Sequence, residues 1–312
     1  MQNDNSWKKQ TKVKILIVGE NDDVKHPELS IALCEQALAD ARKANDHHEE
    51  GARLLDLGYA YFFNGQVEDA IKHYELAIIK FREVGDRPSE AKALDRLGSM
   101  LGNFGQDEIA IVYLGQSLAI LRETGDRLGE GNCLCKIGQA YFYLNQYPKA
   151  LEFHEKALAI FREIGDRKLE ATALNDIASD YFYLQQIVQG NKYHEQALAI
   201  FQEIKDDENI LKVLRNMAYY CIGQKHFDQS IEYYNQALTI ARKVNDQNSE
   251  AMILESMAIV YFVSDQGEKS VQLLKAAIQI YEILGSPRIE KARDKLAYFR
   301  RQTEKKWWQF WI

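Results

Sequence analysis

The sequence predicts an all-α protein built from stacked pairs of helices. The 312-residue chain repeats itself every 40 residues, with no insertion or deletion between repeats. A fixed period in the range of roughly 20–50 residues is typical of repeat arrays. One aspartate marks the period, and columns of leucine and of small residues follow it in register. These aspartates are Asp46, Asp86, Asp126, Asp166, Asp206 and Asp246.

Within each repeat, apolar residues recur twice with helical spacing, at i, i+3, i+4 and i+7. In the first repeat this predicts helix A over about 50–64 and helix B over about 67–84, with a turn at Asn64-Gly65. One column in helix A holds only small residues, which would let helix B approach closely. Its members are Gly58, Gly98, Gly138, Ala178, Ala218 and Ala258.

The segment between one helix B and the next helix A reads "FREIGDR" at 161–167, and similar segments recur in the other repeats. We expect Gly165 to adopt the left-handed conformation that ends helix B. Asp166 would then cap the next helix A, and Glu170 would lie in its first turn, where the helix dipole favours a negative charge. The motif therefore predicts a turn rather than a catalytic site.

These columns resemble the tetratricopeptide repeat, whose helix A carries a bulky residue, Leu-Gly and Tyr, and whose helix B carries Ala, an aromatic residue and Ala. The matching residues of the first repeat are Leu54, Leu57-Gly58, Tyr61, Ala70, Tyr74 and Ala77. The longer period is similar to that of kinesin light chain, LGN-type scaffold proteins and bacterial arrays of this family. The resemblance implies a right-handed α-solenoid of about fourteen helices. It is specific for the fold and unspecific for function.

The ends of the array are predicted from where the repeat pattern stops. Basic residues on the last helix would give the terminal unit the polar outer face that prevents further stacking. The predicted segments are a poorly ordered arm over 1–27, a half repeat over 28–44, six repeats over 46–285 (the array as a whole being 28–285), a capping helix over 286–304 and a Trp-rich tail over 305–312.

Composition excludes several classes of protein. The net charge of −7 argues against a nucleic-acid partner, because phosphate binding needs a basic surface. The four cysteines have no disulfide-framework spacing, and we interpret them as reduced, small apolar residues. No apolar run approaches the ~20 residues that span a bilayer. We therefore predict a cytoplasmic protein and leave open a peripheral contact with a membrane.

No constellation of catalytic residues stands out. No glycine-rich phosphate loop follows a strand, and no metalloprotease motif occurs. His154 and His194 occupy the repeat position that Tyr74 holds, so we interpret them as packing residues of helix B. The sequence thus predicts no enzyme activity, no cofactor and no metal site.

A partner is expected along the concave face, which the resemblance assigns to helix A. Tyrosine and arginine are common interface anchors, and basic side chains there could hold carboxylates of a peptide. The predicted partner-binding residues are Tyr59, Phe63, Arg96, Lys136, Gln139, Tyr143, Asn175, Tyr183, Arg215, Asn216 and Tyr219. A neighbouring column of phenylalanines either faces this groove or packs between successive A helices. Its members are Phe62, Phe142, Phe182 and Phe262.

The segment "KKWWQFWI" over 305–312 concentrates three of the four tryptophans. It could fold back onto the last repeat, lie on an anionic bilayer surface, or dock in a groove, for example that of another copy. The predicted docking residues are Lys305, Lys306, Trp307, Trp308, Phe310 and Trp311.

The function predicted from all of this is a non-enzymatic scaffold or adaptor that binds a peptide or helix of another protein. One alternative is a membrane-associated assembly factor that docks through the tail. Another is a peptide-sensing regulator, as in quorum-sensing receptors with similar repeats. Those receptors carry an N-terminal effector module that residues 1–27 are too few to form. Homo-oligomerisation is left open.

Overall fold

The computed structural model describes the backbone of residues 27–310 and the side chains of 31–303. The predicted N-terminal arm lies outside this range, apart from Pro27. Fourteen helices and no strand make up the described backbone, which confirms the all-α prediction. The helices are α1 (Pro27–Ala44), α2 (His47–Phe63), α3 (Val67–Val84), α4 (Arg87–Asn103), α5 (Asp107–Thr124), α6 (Arg127–Tyr143), α7 (Tyr147–Ile164), α8 (Arg167–Tyr183), α9 (Ile187–Glu203), α10 (Asp207–Gly223), α11 (Phe227–Lys243), α12 (Gln247–Val263), α13 (Gly267–Ile283) and α14 (Ile289–Phe310).

The even-numbered helices from α2 to α12 are the predicted A helices, and the odd-numbered helices from α3 to α13 are the B helices. Helix α1 is the half repeat, and α14 follows the last B helix. The chain divides into two compact units, Met1–Leu144 and Asn145–Ile312. The first unit contains α1 to α6, and the second contains α7 to α14; each is described separately below.

The turns that connect a B helix to the next A helix have the predicted geometry. Gly85 ends α3 with a φ of 72°, in the left-handed region, and the Oδ1 atom of Asp86 accepts a hydrogen bond from the Ser89 N–H. Every repeat aspartate caps an A helix in this way. Where glycine is absent, Asn45 and Lys205 adopt the same conformation, with φ of 58° and 57°. The aspartate cap is therefore the constant part of the turn.

The small-residue column brings paired helices into close contact, as predicted. A Cβ atom on Gly58 would lie 2.6 Å from the Tyr74 ring, so no larger residue fits without moving α3 away from α2. Leu54, Leu57 and Ala77 are buried around this contact. Removing such a leucine side chain from a packed core costs about 2–5 kcal/mol, so these columns determine much of the stability.

A second repeated feature of the turns is a glutamate held between two arginines. The Glu90 carboxylate, almost fully buried, accepts a hydrogen bond from Arg82 Nε at 2.5 Å and from Arg87 Nη1 at 2.6 Å. The sequence alone predicts only that the equivalent Glu170 lies in the first turn of its helix, where the dipole favours its charge. The same clamp, complete or with one arginine, is formed by Arg42 and Glu50, by Arg122, Arg127 and Glu130, by Arg162, Arg167 and Glu170, and by Arg242 and Glu250.

The turn between α9 and α10 replaces the clamp with apolar packing. Ile210 occupies the position of the glutamate and is buried, while Gln202 and Asp207 occupy the positions of the two arginines. Asp207 is instead paired with Lys243 at 2.9 Å. In the preceding repeat the equivalent pair is Arg167 with Glu203 at 2.7 Å, so the same ion pair occurs here with its charges exchanged.

Candidate partner-binding site

In the first unit, aromatic and basic side chains meet on the exposed side of the A helices. The Tyr59 and Phe63 ring centroids are 4.4 Å apart, and the Arg96 guanidinium lies 5.7 Å from the Tyr59 ring. Tyr59 is 39% exposed. Contact between a cation and an aromatic face stabilises both groups by about 0.5–1 kcal/mol at such exposed sites. These three predicted residues, contributed by α2 and α4, therefore form one ordered patch.

Lys136 of α6 is committed to an ion pair across to α4. Its Nζ atom lies 2.7 and 2.6 Å from the two carboxylate oxygens of Asp95. Gln139 and Tyr143, one and two turns further along α6, are exposed, and Tyr143 is 69% accessible. Because the charge of Lys136 is paired with Asp95, Tyr143 and Gln139 are the predicted residues of α6 that are exposed and not held in an ion pair with α4.

A cavity of about 490 Å³ lies between α4, α5 and α6, beside Lys136, Gln139 and Tyr143. No pattern in the sequence predicts this cavity. Its polar lining includes Ser99 and Asp107, and Asp107 is only 7% exposed. The remaining lining residues are Gly98, Gly102, Asn103, Gly105, Ala110, Leu114 and Ala140.

In the second unit, the predicted residues lie on α8 and α10. Tyr183 is 41% exposed and stacks on Tyr147 at 4.9 Å, and Tyr219 is 60% exposed. The Asn216 side chain donates a hydrogen bond to Asn175 Oδ1 at 3.1 Å, which links the two helices. Arg215 is half-buried. It lies near Tyr234, whose own burial raises the pKa of its hydroxyl, and the positive charge of Arg215 opposes that shift.

Rings of the phenylalanine column pack against neighbouring helices, which favours the second of the two interpretations, packing between successive A helices over facing the groove. Phe182 is 4% exposed, and its ring stacks on Tyr220 of α10 with centroids 3.9 Å apart. Phe262 stacks in the same way on Phe299 of α14, also at 3.9 Å. Phe182 is therefore part of the core, and Phe262 is half-buried against α14, so neither ring is free to form the main contact with a partner.

The two histidines of the B helices are buried, as the packing interpretation requires. His154 Nδ1 lies 2.6 Å from Asp180 Oδ2, and both residues are at most 1% exposed. Burial raises the pKa of Asp180, and its hydrogen bond with His154 opposes that shift. His194 packs against Phe182, with ring centroids 5.3 Å apart. Neither histidine is reachable by a substrate.

Two cysteines are also explained by packing. Burial raises the pKa of the Cys133 thiol to about 12, and it also raises the pKa of Cys221. Both cysteines therefore behave as the small apolar residues that the sequence predicted. Among residues 31–303, no group of three or more His, Cys, Asp or Glu side chains is arranged to hold a metal ion.

The predicted docking side chains at 305–311 lie outside the described residues, although the backbone of α14 continues to Phe310. Their role stays a prediction. Over the part of the chain that the structure describes, no helix has a stretch long and apolar enough to cross a bilayer.

The comparisons with known proteins agree with this architecture. Three overlapping or adjacent matches to the tetratricopeptide repeat family model cover residues 52–123, 89–163 and 169–243. No curated protein sequence matches the chain. Among solved structures, the apo form of RapI is 20% identical, with a TM-score of 0.64 over 82% of this chain and 99% of RapI.

Two further structures have the same fold. Aspartyl phosphate phosphatase F from Bacillus subtilis is 16% identical, with a TM-score of 0.62 over 88% of this chain and 76% of the phosphatase. A putative kinesin light chain from Podosopora anserina with nearly identical TPR-like repeats is 22% identical, with a TM-score of 0.51 over 58% and 89% of the two chains. At these identities the likeness concerns the fold alone. The family matches span more than half of the sequence, and the chain therefore belongs to the tetratricopeptide repeat family.

Proposed function

We propose that this protein is a scaffold or adaptor that binds a peptide or helix of another protein on the exposed faces of its A helices. The observation that carries the proposal is the exposure of four tyrosines at two repeated positions of these helices, while the adjacent phenylalanines are buried or half-buried. The four are Tyr59, Tyr143, Tyr183 and Tyr219. Tyrosine combines a large apolar area with a polar tip, which suits a wet binding surface.

The ordering of these side chains before any partner binds also supports this function. The rings of Tyr59 and Tyr183 are held by Phe63, Arg96 and Tyr147. A side chain that is already fixed loses less conformational freedom on binding, which favours affinity. The proposal includes no reaction and no cofactor, and it places the protein in the cytoplasm with a protein partner rather than a nucleic acid.

The experiment is affinity capture from a lysate of the native cells, read by mass spectrometry. We expect the native chain to retain a defined protein partner. The variant with Tyr143→Ala, Tyr183→Ala and Tyr219→Ala should capture little of that partner. Its helical signal in circular dichroism should equal that of the native chain. Each of these anchors is expected to contribute about 1 kcal/mol or more, and their loss is therefore expected to weaken binding by well over tenfold.

The matched control removes exposed apolar side chains from the B helices, through Ile79→Ala, Val112→Ala and Val188→Ala. These residues are 48%, 59% and 81% exposed, comparable with the tyrosines. Capture should be unchanged in the control. Capture that survives in the tyrosine variant, or that is lost equally in the control, would show that the A-helix faces are not the binding surface.

A further inference from the structure

The cavity of the first unit exists because a ring is missing from the phenylalanine column. Gly102 holds the position that Phe62, Phe142, Phe182 and Phe262 hold in other repeats. In the second unit, Phe182 stacks on Tyr220 with an interplanar angle of 6°. The residues at the two corresponding positions of the first unit are Gly102 and Ala140, and both line the cavity. Neither side chain has a ring, so a space suited to a flat group is left between α4 and α6.

A buried carboxyl lies at the wall of this space. Asp107 lines the cavity and is only 7% exposed, and among the described residues its Oδ1 atom has no hydrogen-bond partner. That atom lies 3.9 Å from the place that a Cβ on Gly102 would occupy. It has almost no exposed surface, so the carboxyl must turn toward the cavity to meet a ligand. Leaving a buried polar atom unpaired costs roughly 1–3 kcal/mol. A ligand that donates a hydrogen bond to Asp107 would recover this energy.

The rest of the lining restricts the chemistry of the ligand. The hydroxyl of Ser99 is a second buried polar atom without a partner in the described structure. Lys136 reaches the cavity but is paired with Asp95 at 2.6 Å, so no unneutralised cation is available to hold an anionic ligand. Ala110, Leu114 and Ala140 supply apolar walls. A volume of about 490 Å³ falls within the range of ligand pockets, roughly 300–1,000 Å³.

We propose that this cavity accepts an aromatic side chain that carries a hydrogen-bond donor, a tyrosine or tryptophan of the bound peptide. The ring lies between Gly102 and Ala140, in the space that Phe182 and Tyr220 fill in the second unit. Its O–H or N–H group donates to Asp107. This assignment rests on the proposed function, because it supposes that a peptide lies on the A-helix face where Tyr143 forms the rim of the cavity.

The test uses small aromatic probes, so that it does not depend on a partner. Binding of p-cresol, 3-methylindole and toluene to the full chain is measured by ligand-observed NMR. We expect p-cresol and 3-methylindole to bind about tenfold more tightly than toluene, because only they donate to the buried carboxyl. Asp107→Leu, which keeps the size of the side chain and removes the acceptor, should abolish this difference and leave toluene binding in place.

Gly102→Phe should remove binding of all three probes, because it restores the ring found in the other repeats. A Cβ at this position meets only Ala110 at 3.7 Å and Asp107 at 3.9 Å, so the backbone accommodates the change. The matched control is Gly115→Phe on α5, where a Cβ has nothing within 4 Å; it should bind the probes as the native chain does. Melting curves of each variant establish that the fold is intact.

Absence of p-cresol binding to the native chain would overturn the proposal. So would equal affinity for p-cresol and toluene, or binding that Gly102→Phe leaves unchanged. These results would leave the scaffold function standing, because that function is decided by partner capture in the tyrosine variant. Conversely, if the probes bind as expected and capture is unaffected by the tyrosine substitutions, the cavity is a ligand site and the adaptor proposal fails.

Discussion

At the scale of single residues, His194 shows how a repeated position tolerates different side chains. Leu114 and Leu274 hold the equivalent buried positions in other repeats. His194 is fully buried, and neither ring nitrogen has a hydrogen-bond partner among the described residues. Burial disfavours the charged form and lowers the pKa of its imidazole to about 3. This histidine therefore acts as an apolar filler.

The buried histidine predicts a pH dependence of stability. In the unfolded chain it takes up a proton below its ordinary pKa of about 6.5, whereas in the folded chain it stays neutral down to about 3. The unfolded state thus binds more protons in this interval, and the free energy of unfolding falls as the pH falls. The loss expected from this one group is roughly 2 kcal/mol between pH 8 and pH 5.

His194→Leu should remove this contribution, so that its stability declines less than that of the native chain between pH 8 and pH 5. Urea unfolding followed by circular dichroism at several pH values measures the difference. The interval lies above the ordinary range of Asp and Glu titration, which limits their influence. His226→Gln is the control, because it removes an exposed histidine instead of a buried one. Parallel pH profiles for the native and His194→Leu chains would contradict the argument.

At the scale of helices and turns, the arginine–glutamate clamp is asymmetric. The glutamate is buried, whereas its arginines are about half exposed, as for Glu90 at 2% and Arg82 and Arg87 at 50% and 42%. Removing the arginines would leave a buried charge unpaired, while removing the glutamate would leave two cations that water can solvate. The two halves of the clamp should therefore differ in what their loss costs.

We expect the double variant Arg82→Gln, Arg87→Gln to destabilise the first unit by about 2 kcal/mol. This is somewhat less than the cost of breaking a fully buried ion pair, because the arginines are partly solvated. Glu90→Ile alone should cost less, since Ile210 already fills the equivalent position in the fifth repeat. Adding Glu90→Ile to the double arginine variant should restore most of its stability. Midpoints of urea unfolding give the comparison, and strictly additive effects of the three substitutions would refute the coupling.

Helices, turns and caps could be predicted from the sequence because their signals are local and occur six times. Asp166 needs only the first turn of its own helix to act as a cap. The clamp depends on residues in two helices, such as Arg162 and Glu170. Its signal in the sequence is that both arginines and the glutamate are replaced together in one turn, by Gln202, Asp207 and Ile210. That change becomes visible only when the fifth repeat is compared with the other repeats.

For the candidate site, the exposure of single residues could be predicted from the sequence, whereas contacts between helices could not. Tyr143 and Tyr219 are exposed, and this follows from their positions on the A helices, which the repeat pattern gives. That pattern could not indicate that Lys136 is paired with Asp95 or Asn216 with Asn175, because those contacts depend on how neighbouring A helices pack. The cavity at Gly102 arises from a missing ring, and such a gap becomes visible only when the surrounding walls are in place.

At the scale of the whole molecule, charge is distributed unevenly along the chain. The net charge is −7, yet the segment 288–312 contains eight basic and three acidic residues. It also contains Trp307, Trp308 and Trp311, and tryptophan prefers the headgroup region of a bilayer. This combination supports a second proposed function, in which the segment 305–312 attaches the scaffold peripherally to an anionic membrane.

Each lysine near an anionic surface contributes about 1 kcal/mol, so Lys305 and Lys306 together supply only about 2 kcal/mol, and the tryptophans must supply the rest. We therefore expect the native chain to sediment with phosphatidylserine-containing phosphatidylcholine vesicles at low salt and to be released when salt screens the charges. Deletion of 305–312 should abolish sedimentation, and Lys305→Gln with Lys306→Gln should reduce its salt dependence. Vesicles of phosphatidylcholine alone are the control for the electrostatic part. If the chain without 305–312 sediments as the native chain does, the membrane role is wrong. The deletion leaves the A helices intact. Partner capture by the same shortened chain therefore shows whether the scaffold function is independent of this segment.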